Sequence, residues 1–449
     1  MMKSNALKLT ILTLPLMVSG LAGCGSSVPA ATSAAVTSAS SGLGAVQANI
    51  EKYTPATTDS NPTAFNLMFE KFHHLAGSFI PNVMATAYTP FGAQWTATDM
   101  PDLYCGGGSC TNESIKNYMG QMIDPNFINA NGSSVGAAGR YSSALTQTCL
   151  LSAFFAKSCT IDTDGLPAVG TCTVNVDFTQ LPTNGGTFNG CTVPANFTAG
   201  GGPTSISIAV TITAVTGNPN YTKKIVIAGA PSGNGTGTNT VYAKLDSANG
   251  IFNFENIAPG DNQTGNPACG GSRFILGLNG NVTSFQYESI TLGTDTTSGC
   301  SSQNSGVSHE DFYRIHLDTG LDTSYILGMQ LNKGSANAFG FILSGQPSKI
   351  GAGAGTISAS IWANTGTAIP TGATTFFAAS ANACVAQATG NISTDGALAC
   401  DVTGLDVFTA KTMLTAKAAT DMSTSTATNS PNTPSAIGWT GASDFTTNQ

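Results

Sequence analysis

The sequence predicts an α+β protein in which N-terminal helices pack on a large, curved antiparallel sheet of roughly ten to twelve strands, a sandwich or an open, barrel-like form. Three observations carry that expectation. Apolar residues recur at helical spacing as far as about residue 156, and after Cys159 they switch to strict alternation. Tight-turn signals separate successive alternating runs, which favours hairpins and antiparallel pairing. The helical segments precede the strands and do not interleave with them, which separates α+β from α/β.

A short helix is expected around Leu43, Val46 and Ile50. In NPTAFNLMFEKFHHLA, Asn61 can cap and Pro62 fits the first helical position. Phe65, Met68, Phe69, Phe72 and Ala76 then form an apolar stripe. TNESIKNYMGQMIDP offers Ile115, Tyr118, Met119 and Met122, with Pro125 as a stop. A fourth helix is expected from about Arg140 to Ala156, with Tyr141, Leu145, Cys149 and Ser152 on one face and Ala144, Leu151 and Phe155 beside them.

Beyond Cys159, TCTVNVDF sets Cys172, Val174, Val176 and Phe178 against Thr173, Asn175 and Asp177. SISIAVTITA alternates Ile206, Ile208, Val210 and Ile212 with small polar residues. Three hairpins follow, turning at Asn249-Gly250, Asn279-Gly280 and Lys333-Gly334, and TISASIWA adds a further strand. The expected pattern is one buried face and one wet face. A transmembrane barrel shares this alternation but calls for aromatic girdles, and aromatics are 8% of the chain without clustering at strand ends.

Charged residues make up 9% of the chain, well under the ordinary share, and the formal net charge is −8. An acidic chain without a basic patch argues against a nucleic-acid partner.

Lys3 and Lys8 open the chain, and an uncharged, mostly apolar run from Leu9 to Leu21 follows. The run is too short to span a bilayer and suits a signal sequence. It ends Leu21-Ala22-Gly23-Cys24. This stretch resembles the lipobox of bacterial lipoproteins. The resemblance implies cleavage before Cys24, acylation of Cys24, and attachment to a membrane through the acyl chains. Gly25 in place of Asp after the cysteine implies the outer membrane, on its periplasmic or cell-surface side. Nothing else in the mature chain carries a family resemblance. The chain divides into a signal peptide (1–23), a flexible tether (24–42), a helical region (43–160), a β-rich region (161–418) and a low-complexity tail (419–449).

Ten cysteines remain besides Cys24, an even number in a chain bearing an export signal, so five disulfides are expected. Their clustering suggests sequential pairing: Cys105 with Cys110, Cys149 with Cys159, Cys172 with Cys191, Cys269 with Cys300, and Cys384 with Cys400. No CxxC motif and no cysteine close to a histidine supports a zinc site, and no metal or cofactor is expected.

Other chemistry-bearing stretches read as structure. Glu70 and His74 share a helical face without a third ligand. SHEDFYRIHLD carries His309, Glu310, Asp311 and His316 but lacks the HExxH spacing, and Arg314, His316 and Asp318 read as a solvated polar strand face. GAGAG at Gly351–Gly355 leads into a strand and reads as a connector, and DTDG at Asp162–Gly165 reads as a turn. The functional expectation is a non-catalytic, lipid-anchored envelope lipoprotein acting in surface structure, adhesion or ligand binding, with a protein or an apolar molecule as partner. The alternatives are an envelope-polymer hydrolase built on the region of His309 and His316, or an accessory subunit of an envelope complex.

Overall fold

A computed structural model describes residues 137–177, 186–188, 191–193, 205–228, 238–259, 270–291, 309–332, 337–351, 355–364, 379–386, 392–393, 400, 405, 407–423 and 442. The expected helices before residue 137 lie outside these residues. The elements run α1 (Ala137–Ser158), β1 (Gly170–Asp177), β2 (Gly186–Phe188), β3 (Cys191–Val193), β4 (Ser205–Ala214), β5 (Lys223–Ala228), β6 (Thr238–Asp246), β7 (Ile251–Pro259), β8 (Gly270–Asn279), β9 (Val282–Thr291), β10 (His309–Asp318), β11 (Thr323–Asn332), β12 (Asn337–Gly345), α2 (Pro347–Gly351), β13 (Thr356–Asn364), β14 (Ala379–Ala386), β15 (Ile392–Ser393) and α3 (Val407–Ser423).

The protein is mostly β. Thirteen strands form one antiparallel sheet in the order β1-β4-β5 and onward in sequence to β15, while β2 and β3 pair as a separate hairpin. Among the described residues β1 and β15 do not pair, so the sheet is open. The expected hairpins are present. The Gly280-Asn281 turn between β8 and β9 holds Gly280 at φ 58°, the positive φ that a type II′ turn asks of its first central residue. Gly250, at φ 67°, closes the turn into β7.

Helix α1 matches the helix expected over 140–156. It lies on the face that carries Phe285, Tyr287, Asp311 and Tyr313. Its start meets β9 and β10, and its end is tied to β1 through Cys159–Cys172 and the Asn175 amide, which donates to Ser158 Oγ. The dimensions agree. Twenty-two residues span about 33 Å of helix, and six strand spacings from β1 to β9 span about 29 Å. The helix therefore runs across the strands. Gln147, Thr148, Cys149 and Leu150 are all buried, so α1 is enclosed on every side at that level. Its buried hydroxyls are satisfied within the helix, Thr148 donating to the Ala144 carbonyl and Ser152 to that of Thr148.

The opposite face differs from one end of the sheet to the other. On β4, Ser207, Ala209, Thr211 and Thr213 are exposed while Ile208, Val210 and Ile212 are buried, the expected pattern of one wet and one dry face. From β10 to β13 that pattern fails. Phe312, Tyr325, Leu327, Met329, Ile342 and Trp362 are buried against Ala410 and Leu414 of α3. The middle of the sheet is therefore covered on both faces, by α1 on one and α3 on the other. Helix α3 was not expected: it lies within the segment read as β-rich and runs on into the expected tail.

The disulfide pattern corrects the sequential pairing. Cys384–Cys400 forms as expected, but Cys159 bonds Cys172, which rules out Cys149–Cys159 and Cys172–Cys191. The reason is geometric. Ten residues of helix separate Cys149 from Cys159 by about 15 Å along the axis, far beyond the roughly 4.4–6.8 Å between Cα atoms that a disulfide spans. The Cα atoms of Cys159 and Cys172 stand 5.5 Å apart. Cys149 is itself disulfide-bonded, so its partner is a cysteine other than Cys159.

Candidate functional site

The densest polar chemistry among the described residues is a buried ionic network on the α3 face, spread over β7 to β10. Strand alternation places Glu255, Arg273, Glu288 and Glu310 on this one face, because cross-strand partners share a face. Arg273 Nε lies 3.3 Å from Glu255 Oε1 and 4.0 Å from Glu288 Oε2. Lys417 of α3 then bridges Glu288, at 3.1 Å, and Glu310, at 3.5 Å. Ala410, Leu414 and Lys417 stand at i, i+4 and i+7, so a single helical stripe delivers two apolar contacts and one cation. The Lys417 ammonium also sits 4.9 Å from the Phe312 ring centroid. Gln286 extends the network, accepting from Arg314 at 3.0 Å and donating to Glu288 at 3.3 Å.

This arrangement is suited to holding a helix. Glu255 and Glu310 are 0% and 1% exposed, and isolated carboxylates at that depth would be costly. Lys417 and Arg273 supply opposing charge, and two carboxylates on neighbouring strands fix where the last turns of α3 sit. The network also separates two apolar clusters on the same face: the one beneath α3, and a smaller one of Tyr221, Tyr242, Ile257 and Ile275 with Val215 and Ala442.

The strand that looked densest in the sequence, SHEDFYRIHLD, forms β10. Its polar face is buried at Arg314 and half-buried at His316 and Asp318, which corrects the expectation of a solvated face. Arg314 and Glu310 are buried under the α3 face, and Asp311 is buried on the other. His316 stacks on Tyr325, with ring centroids 5.1 Å apart. Burial depresses the His316 pKa and the Arg314 charge depresses it further, while Asp318 pulls it up. His309 and His316 lie seven residues apart on one strand, about 23 Å at the usual rise, and so do not converge on one site.

On the α1 face, Arg140 approaches Asp311 at 3.8 Å and lies over the Tyr287 ring at 4.8 Å. Tyr313 stacks against Tyr287, donates to Asp311 at 3.4 Å and accepts from Gln330 at 2.9 Å. Burial first, and the neighbouring Asp311 carboxylate second, raise the Tyr313 pKa well above its ordinary value, so its hydroxyl stays protonated.

The DTDG stretch is a turn, as expected. The Gly165 amide donates to the Asp162 carbonyl, and Gly165 has φ +81°. Its carboxylates face Lys223, whose Nζ is 2.8 Å from Asp162 and 3.8 Å from Asp164. The hydrogen bond from Lys223, aided by the Thr163 amide, lowers the Asp162 pKa. A lysine ammonium thus stands where a bound cation would.

Of the residues singled out in the sequence, Cys24, Cys105, Cys110, Cys269, Cys300, Glu70 and His74 lie outside the described residues, as do the side chains of Cys191 and His309. No group of three metal-ligating side chains occurs among the described residues. Glu255, Arg273, Glu288 and Lys417 sit in no sequence motif, and Arg140 marks only a helix start there. A signal was available: in a chain with so few charges, a charge at the parity of a strand's apolar residues needs a buried partner.

No protein-family model, no curated protein and no solved structure matches this chain.

Proposed function

We propose that the protein is a non-catalytic, lipid-anchored lipoprotein of a bacterial cell envelope. The observation that carries this reading is the stretch Leu21-Ala22-Gly23-Cys24 at the end of a short, uncharged run that follows Lys3 and Lys8. The disulfides Cys159–Cys172 and Cys384–Cys400 support it, because such bonds persist in oxidising compartments. The stacking of His316 on Tyr325 favours it over the hydrolase alternative built on the region of His309 and His316, because it gives that histidine a packing role. An open sheet sealed at its centre by helices is a rigid scaffold, suited to presenting a surface or a binding site away from the membrane.

The test is metabolic labelling with an alkyne fatty acid in a bacterial host, followed by membrane fractionation of the wild type and of Cys24→Ala. The expected result is acyl label and outer-membrane recovery for the wild type, with both lost in the variant. Label or membrane recovery that survives Cys24→Ala would overturn the anchor.

A further inference from the structure

Cys149 is buried and disulfide-bonded. Its partner is neither Cys159 nor Cys172, which bond each other, nor Cys384 or Cys400, which do the same. Besides Cys24, five cysteines stay open to it: Cys105, Cys110, Cys191, Cys269 and Cys300. Of these, Cys191 alone lies in a described element, where it opens β3. Strand β3 lies against α1, with Cα atoms of the two elements within 8 Å of one another. A disulfide joins Cα atoms roughly 4.4–6.8 Å apart, so this packing brings the right two backbone segments together. The hairpin also calls for a tether. Strands β2 and β3 have three residues each and pair only with one another. A two-stranded hairpin is marginal by itself in water, all the more with strands this short.

We infer that Cys149 and Cys191 form a disulfide that staples the β2–β3 hairpin to the middle of α1. The two thiols give up two protons and two electrons, which the disulfide of a thiol oxidoreductase takes up as it leaves as a dithiol. Together with Cys159–Cys172 the bond makes two rungs along the helix, about 15 Å apart, with the 149–191 link enclosing the 159–172 link. This nested order ties the segment after β1 back onto the helix that precedes it. It also accounts for the enclosure of α1 at Gln147 to Leu150, where the sheet covers one side only and β3 supplies cover on another. The bond requires an oxidising compartment but not the lipid anchor.

The experiment is peptide mapping of the full-length chain, purified from an oxidising compartment. Free thiols are blocked with iodoacetamide in denaturant, and the unreduced chain is digested with trypsin and with an endoprotease that cuts before Asp. Cleavage after Arg140 and Lys157 releases peptide 141–157, whose one cysteine is Cys149. Cleavage before Asp177 and after Lys223 releases peptide 177–223, whose one cysteine is Cys191. The expected species in mass spectrometry is these two peptides joined, separating on reduction. The map reads the same whether or not Cys24 is acylated, so it stands apart from the anchor. Cys191→Ala should leave one alkylated thiol, at Cys149, and the wild-type map decides the matter even if that variant fails to fold. Peptide 141–157 recovered alkylated from the wild type, or joined to a peptide bearing Cys105, Cys110, Cys269 or Cys300, would overturn the inference.

Discussion

Replacing Lys417 with Met tests whether α3 is held by charge or only by its apolar stripe. The Met side chain keeps most of the length and apolar character of lysine but loses the ammonium that stands 3.1 Å from Glu288 and 3.5 Å from Glu310. At an effective dielectric of 20 each attraction is about 5 kcal/mol. Desolvation offsets most of that, and the 24% exposure of the Lys417 side chain screens part of the rest. What decides the outcome is Glu310, 1% exposed, which loses this cation while remaining buried. Such a loss costs about 3–5 kcal/mol. The assay is urea unfolding followed by circular dichroism, with tryptophan emission as a second probe. Trp362 is buried in the cluster that α3 covers, so undocking of the helix should shift its emission to the red ahead of global unfolding. Lys417→Met should lower the urea midpoint by about 1 M for a domain of this size or produce that early shift. Adding Glu310→Gln, which removes the stranded charge, should recover a substantial part of the loss. A cost under about 1 kcal/mol with no early shift, or a double variant no more stable than the single one, would refute the reasoning.

Other regions give sharper or simpler outcomes. A Cβ at Gly328 would lie 2.6 Å from the Phe341 ring and 2.7 Å from that of Tyr313, so Gly328→Ala should cost about 1–3 kcal/mol by overpacking, measured as a fall in melting temperature. Breaking Cys159–Cys172 by double substitution to Ser frees a span of 13 residues, and the chain-entropy relation gives a loss of about 3 kcal/mol in urea. His316 has a folded pKa below its unfolded value, chiefly through burial. The unfolded state therefore binds more protons, and the His316 contribution is intact above about pH 6.5 and lost as the pH falls through the folded pKa. His316→Gln should flatten that part of the stability-versus-pH profile, and an unchanged profile would remove His316 as its source.

Much of the sheet is legible in the chain because its signals are local. SISIAVTITA alternates without interruption and becomes β4 with the same boundaries. The turns at Gly250 and Gly280 are carried by residues that reach positive φ at low cost. Helix α1 was also legible, and with it the impossibility of pairing Cys149 to Cys159. The helical rise alone separates them, and sequential pairing overlooked a distance that the helix had already set. The strand KKIVIA was passed over because it is short and begins with two lysines, one of which, Lys223, is held by the DTDG turn.

What covers the second face was not legible, and the reason is physical. An antiparallel strand with one wet face and one with two buried faces differ only in what another part of the chain lays over them. Near-continuous apolar runs such as YILGMQL and AFGFIL hinted at double burial, but the cover comes from α3, far along the chain from β10. In VFTAKTMLTAKAATDMS the helix carries four threonines, and its contact stripe is two residues and a lysine, too sparse to stand out as an amphipathic pattern. The stripe works because the sheet supplies the bulk: Phe312, Leu327, Met329, Ile342 and Trp362 fill the space that larger helix residues would otherwise occupy. Ala410 then permits close approach, and Lys417 fixes the register. Glu288 of β9 and Glu310 of β10 are the counterpart of that helix. A strand charge in a charge-poor chain is therefore, beside those apolar runs, a local mark of a distant cover.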